Sequence, residues 1–128
     1  MGYTLVKTIK KLIYTHQGTE TTGILSENRF NFDYLLMEVG WENDGFNMLE
    51  IKVTPDIYFT LRIPGGAGSD LADIITLYKW TNPTTFTSLY SKNTRINPTN
   101  TTTYSCFTNT SYTVRSINKI WGIKKVKV

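Results

Sequence analysis

The chain has 128 residues, 40% hydrophobic and 13% aromatic, with a formal net charge of +4 at pH 7. That length suits one domain able to bury a core without staples, and the single cysteine, Cys106, excludes an internal disulfide, in keeping with assembly in a reducing cytoplasm. No apolar run approaches the roughly 20 residues that span a bilayer as a helix, and one histidine with one cysteine cannot supply a zinc set.

The first 15 residues admit two readings. Leu5, Val6, Ile9, Leu12 and Ile13 have helical spacing beside Lys7, Lys10 and Lys11, as a basic amphipathic helix would. The stretch is short and its β-branched residues disfavour a helix, so a basic arm over about 1–8 leading into a strand near 8–14 is the preferred reading. The lysines precede no apolar stretch and no small-residue cleavage site, so no signal peptide is expected. Val6 stands where a myristoylation signal needs Ser or Thr.

From residue 33 the pattern alternates. Leu35, Met37, Val39 and Trp41 make one apolar face, with Glu38 and Glu42 opposite, and Asn43-Asp44-Gly45 supplies hairpin turn chemistry. Leu49, Ile51 and Val53 alternate with Glu50 and Lys52; Ile57, Phe59, Leu61 and Ile63 alternate with Tyr58, Thr60 and Arg62. Three successive segments therefore show the period of two that one-sided burial produces. Leu35, Met37, Val39, Leu49, Ile51, Val53, Phe59 and Leu61 are expected to share one core.

Pro64-Gly65-Gly66-Ala67-Gly68-Ser69-Asp70 reads as a flexible loop; no Gly-Lys-Ser/Thr follows it, so it is no phosphate cradle. Over 71–81, Ile74, Thr76, Tyr78 and Trp80 take one side and Ile75 and Leu77 the other, which predicts a central strand. Residues 81–113 form a tract in which 21 of 33 are Thr, Asn or Ser, yet Phe86, Leu89, Tyr90, Ile96, Tyr104, Phe107 and Tyr112 recur through it. Thr favours strands and Asn-Pro at 82–83 and 97–98 marks turns, so strands are expected near 85–92, 102–108 and 113–124. In the last of these, Ile117, Trp121 and Ile123 read as one side.

Charge is unevenly spread. All ten carboxylates lie at or before Asp73, so residues 1–73 carry net −4 and residues 74–128 net +8. A solvated strand face explains such a split, and so does a basic half that meets an acidic subunit, a polyanionic cell-wall polymer or nucleic acid.

Catalytic constellations are poorly represented. Cys106 and His16 lie 90 positions apart with no nucleophile elbow or oxyanion motif. Glu38 and Glu42 share a strand face, but the polar one, and Asp44 and Asp70 lie in segments without a calcium-loop pattern. Trp41, Trp80 and Trp121 are phased with apolar neighbours and read as core; Tyr58, Tyr90, Tyr104 and Tyr112 are the better candidates for stacking on a ligand such as a sugar ring.

Two segments carry a resemblance. Asn31-Phe32-Asp33-Tyr34-Leu35-Leu36-Met37-Glu38-Val39 and Ser116-Ile117-Asn118-Lys119-Ile120-Trp121-Gly122-Ile123-Lys124 resemble the strands that begin and end small β-sandwich modules of tailed-phage virion proteins. Such modules sit in tail fibres, receptor-binding proteins and capsid appendages, with a hydrophobic-Asp-Tyr-hydrophobic entry and an Ile-Lys-Ile-Tyr/Trp-Gly-Ile-Lys-like final strand. The resemblance implies an all-β antiparallel sandwich over 1–128, jelly-roll-like, of about eight short strands, with a basic arm (about 1–8) and a basic tail (about 124–128).

It also implies a virion structural component, a capsid or tail decoration that is not an enzyme, assembled in the host cytoplasm. The expected partners are other virion proteins, further copies of the chain and a host-surface glycan, with no cofactor, metal or membrane insertion, and without nucleic acid as the expected partner. The first and last strands lie near one another in such modules, which would bring Lys7, Lys10 and Lys11 close to Lys124, Lys125 and Lys127 as a virion-docking face. The alternative reading is a stand-alone carbohydrate-binding module.

Overall fold

A computed structural model of the chain describes residues 5–16, 22–41, 45–67, 70–98, 104–111 and 117–127. Nine strands are seen there: β1 (Val6–Thr15), β2 (Thr22–Ile24), β3 (Tyr34–Trp41), β4 (Gly45–Lys52), β5 (Tyr58–Ala67), β6 (Asp70–Asn82), β7 (Thr85–Pro98), β8 (Tyr104–Ser111) and β9 (Ile117–Lys127). One 3-10 turn, Arg29–Asn31, lies between β2 and β3. The strands form two antiparallel sheets, one in the order β1-β9-β3-β4 and one in the order β2-β7-β6-β5, with β8 also on β7. The fold is therefore an all-β sandwich, as the alternation required.

The core lies between the sheets. Leu35, Met37 and Val39 from β3 meet Leu61, Tyr78, Trp80 and Phe86 from the second sheet, with Leu49, Ile51, Val53 and Phe59 packed against them. Of the eight expected core residues, Leu35, Met37, Val39 and Leu61 are buried in this cluster, and Leu49, Ile51, Val53 and Phe59 are half-buried against it. The aromatic part is tight: Phe59 stacks on Tyr78 with centroids 4.9 Å apart, and Trp80 meets Phe86 edge-on at 5.5 Å, contacts worth about 0.5–1.5 kcal/mol each beyond area burial. β6 is central, between β5 and β7, and its inward Thr76 shares a hydrogen bond with Ser91 at 3.2 Å, so both buried hydroxyls are satisfied.

Pairing overrides local propensity in three places. The first is the glycine-rich segment. It is not a loop up to Ala67 but the far end of a hairpin, with Pro64 opposite Asp73, Gly65 opposite Ala72, Gly66 opposite Leu71 and Ala67 opposite Asp70. Glycine disfavours a strand only weakly, and the ladder with β6 bonds the inward backbone groups of this segment. Positions 68–69 lie outside the described residues.

The second is the N-terminal segment. Val6 pairs with Lys127 and Thr8 with Lys125, so residues 6–8 and 124–127 are two halves of one antiparallel ladder and not free extensions. The third is the phase of β9. Its register against β3 shifts between Glu38 and Val39, which pair with Lys119 and Ile117, leaving Asn118 as the extra residue. Ile117 and Ile120 are therefore buried, while Trp121 and Ile123 are half-buried on the outer face. Trp121 is not a core residue, because a bulge reverses the alternation that the sequence suggested. Trp80 is in the core; the side chains of Trp41 and Ile63 lie outside those described.

The Asp33 of the resembling entry motif has a structural role. Its N–H donates to Ile123 O at 2.9 Å, its carbonyl accepts from Val53 N at 3.0 Å, and its Oδ2 accepts from Lys125 N at 2.9 Å. It ties the start of β3 to β9 on one side and the end of β4 on the other.

Candidate functional site

The β1–β9 ladder holds all six terminal lysines. Directly opposed residues share a face in an antiparallel pair, and the register sorts the lysines into two triplets. Lys10, Lys125 and Lys127 lie on the outer face, in line with Ile123, Thr8 and Val6; Lys7, Lys11 and Lys124 share the other face with Gly122, Ile9 and Val126. The second face is the core side, since the Phe32 ring packs over Gly122. All six are exposed, but they form two groups of three on opposite faces instead of one cluster of six.

Several have local partners. Lys11 Nζ donates to Glu27 Oε2 at 2.7 Å. That bond, with a second from Asn31, holds the Glu27 carboxyl below its usual pKa. On the outer face, Lys10 Nζ sits 4.9 Å from the Trp121 ring centroid and Lys125 Nζ 5.8 Å from that of Tyr34. Leu12, opposite Trp121, and Val6 are both exposed apolar residues of this face.

Of the four candidate tyrosines, Tyr58 and Tyr90 come to one surface. Tyr58 pairs with Lys79, and Tyr90 with Leu77, on the outer face of the second sheet, where they are 53% and 43% exposed. Lys79 Nζ lies 5.8 Å from the Tyr58 ring centroid. Tyr104 starts β8 opposite Pro98, with its side chain outside those described, and Tyr112 lies outside the described residues.

One end of the sandwich carries two neighbouring cavities. The first, of about 240 Å³, is lined by Arg29, Lys52, Thr54, Asp56, Tyr58 and Trp80 among others. The second, of about 350 Å³, is lined by Phe32, Asp33, Tyr34, Lys52, Val53 and Lys125. Lys52 and Val53 border both, so the two adjoin.

Arg29 is the unusual member. It is only 4% exposed, and its guanidinium carbon lies 4.3 Å from the Phe30 ring centroid and 4.5 Å from that of Trp80. Its N–H donates to Pro83 O and its Nη1 to Asn82 O, which fastens the 3-10 turn onto the β6–β7 turn. Burial lowers its pKa from the ordinary guanidinium value. Neither Arg29 nor Lys52 stood out in the sequence. The available signal was a charged residue set inside the aromatic run Arg29-Phe30-Asn31-Phe32.

The sequence's weak catalytic pairs stay apart. His16 follows β1 in the first sheet, its N–H bonded to Asn118 O and its Nδ1 3.3 Å from the Tyr14 hydroxyl, whereas Cys106 lies in β8 of the second sheet opposite Ile96. Glu38 is on the outer face between Lys119 and Met48. Glu42 and Asp44 lie outside the described residues, and Asp70 begins β6. Among the described residues no three His, Cys, Asp or Glu side chains are grouped to hold a metal ion, and no helix is long and apolar enough to cross a membrane.

Compared with protein-family models, with curated proteins and with solved structures, the chain matches none of them.

Proposed function

We propose that this chain is a non-enzymatic structural component of a bacteriophage virion, a capsid or tail decoration protein that docks through its terminal strands and contributes to host-surface adhesion. The observation that supports this reading most is the β1–β9 ladder. It gathers both terminal segments, which carry six lysines and no carboxylate, onto one edge of a sandwich. The outer side of that ladder combines Lys10, Lys125 and Lys127 with the apolar Val6, Leu12 and Trp121, a mixture suited to an acidic protein surface with an apolar centre. Its remaining support is the resemblance of the segments around Asp33 and Trp121 to virion sandwich strands.

The decisive experiment is reconstitution. Purified protein is mixed with virions stripped of it, and the particles are sedimented. Saturable binding at a fixed copy number per particle supports the assignment; protein that stays in the supernatant defeats it. A second reading, a stand-alone carbohydrate-binding module, is favoured by the exposed Tyr58 and Tyr90 on one sheet face with Leu77 between their strands. A glycan-array signal from protein that does not sediment with stripped virions favours this second reading, whereas saturable virion binding favours the first.

A further inference from the structure

Buried cations are ordinarily paired with carboxylates, because removing a charge from water is costly unless another group replaces the solvent. Arg29 departs from this rule. Among the described residues, no carboxylate forms an ion pair with it, Nη1 alone has an acceptor, and the Nε–H has none. Phe30 and Trp80 both hold a ring against the guanidinium, which leaves its N–H groups as the means of recognition. The backbone carbonyl of Asn82 occupies the Nη1 corner. The Nε–H is itself buried and has no described acceptor, so its edge has an unmet hydrogen-bonding demand, and paired N–H groups along such an edge suit a carboxylate in two-point contact once it enters the cavity.

The surroundings narrow the ligand. Arg29 lines the first cavity with Lys52, and Lys52 borders the second with Lys125, so three cations follow one another across the two cavities. Two carboxylates share this space and both are already engaged: Asp33 Oδ2 accepts from Lys125 N, and Asp56 Oδ2 accepts from the Thr54 hydroxyl at 3.2 Å. The balance is net positive. Tyr58 is the exposed aromatic residue of the first cavity and Tyr34 a half-buried one of the second. Thr54, Asp56 and Asp33 offer acceptors for hydroxyl groups. Repeated cations, repeated aromatic platforms and hydroxyl acceptors together match a saccharide that carries a carboxylate on successive rings.

We propose that the adjoining Arg29 and Lys125 cavities form a binding groove for an acidic saccharide of uronic-acid type, with one carboxylate at the edge of the Arg29 guanidinium and the next between Lys52 and Lys125. Phe30 lies beside the guanidinium and is itself exposed. The groove shares Lys125 with the outer face of the β1–β9 ladder, whereas Arg29 and Lys52 lie outside that ladder, so these two residues separate saccharide binding from virion docking.

The test is a titration of isotope-labelled protein with trigalacturonate, read on the Arg29 Nε–Hε resonance and the Lys52 and Lys125 amides. Saturable shifts at all three, with a dissociation constant of about 1 mM or tighter, are expected; a neutral trisaccharide should give none. Inorganic phosphate should bind at least about tenfold more weakly than trigalacturonate. Equal response to the neutral sugar, or phosphate binding as tight as the trisaccharide, overturns the assignment, as does an unmoved Arg29 resonance.

Substitution of Arg29 also loosens the β6–β7 turn, so the companion variant is Lys52→Gln, an exposed side chain outside that clamp. It should weaken trigalacturonate about three- to tenfold with an unchanged melting temperature. Unaltered affinity in Lys52→Gln removes the groove. Neither result bears on whether the protein sediments with virions.

Discussion

The Phe32 ring occupies the space where a side chain at position 122 would stand: a Cβ built on Gly122 would lie 2.5 Å from the ring carbons. The glycine in the Trp121-Gly122-Ile123 segment is thus a packing requirement between β9 and the entry to β3. Gly122→Ala forces the buried Phe32 ring to move and should cost about 1–3 kcal/mol in urea unfolding. Pairing it with Phe32→Leu should recover part of the loss, since neighbouring substitutions are coupled. Strict additivity of the two would show that the ring does not determine the glycine.

Leu35 and Leu61 face one another's sheets and are each 2% exposed. Truncating either to Ala should cost roughly 2–5 kcal/mol, whereas Met48→Ala, on the exposed face of β4, should change stability by less than about 0.5 kcal/mol. A loss under about half a kcal/mol at both leucines would contradict the inward phase of β3 and β5.

Burial pushes the Tyr78 phenol pKa well above its ordinary value, with a lesser contribution from Tyr14. The folded state therefore holds this proton when the unfolded chain, titrating near pH 10, has released it. The stabilisation is present in full below about pH 10 and is lost as pH rises from there towards the folded-state value, at about 1.4 kcal/mol per pH unit. Tyr78→Phe should remove this component, apart from a pH-independent offset. Denaturation curves between neutral and strongly alkaline pH that fall in parallel for both proteins would disprove it.

The lysine ladder can be divided by face. Lys10→Glu, Lys125→Glu and Lys127→Glu combined alter the outer side, while Lys7, Lys11 and Lys124 lie on the other. Under the docking proposal the outer triple variant should lose incorporation into particles, with an unchanged circular dichroism spectrum. The wild-type interaction should weaken between low and high salt, because exposed charges are screened beyond about 10 Å at 0.1 M. Wild-type incorporation by the triple variant would reduce the ladder to a solvated edge, where lysines serve to discourage strand addition.

Much of the sandwich was legible locally. Alternation along Leu35, Met37 and Val39, and again along Thr76, Tyr78 and Trp80, reports which side of a strand is buried, because the side-chain period of two is a property of the chain itself. Turn chemistry at Asn82-Pro83 likewise foretold the β6–β7 connection, where Asn82 pairs with Thr85. The pairing of first and last strands followed from the resemblance alone; nothing in the residues of β1 announces its partner.

Only the tertiary structure decided the rest. The bulge at Asn118 depends on how β9 registers against β3, so the outward turn of Trp121 could not be read from β9 itself. The strand character of Gly65 and Gly66 comes from a ladder with β6 that outweighs glycine's own preference. The Arg29 cavity required three separate stretches, around residues 29, 52–58 and 80, to meet at one end of the sandwich. Side-chain alternation is encoded over a few neighbouring residues, but register, face reversal and a shared cavity arise from hydrogen bonds and burial between segments far apart in the chain. The sequence by itself determined the strands and most of the core; the pairing of those strands determined where its charges and aromatic rings meet.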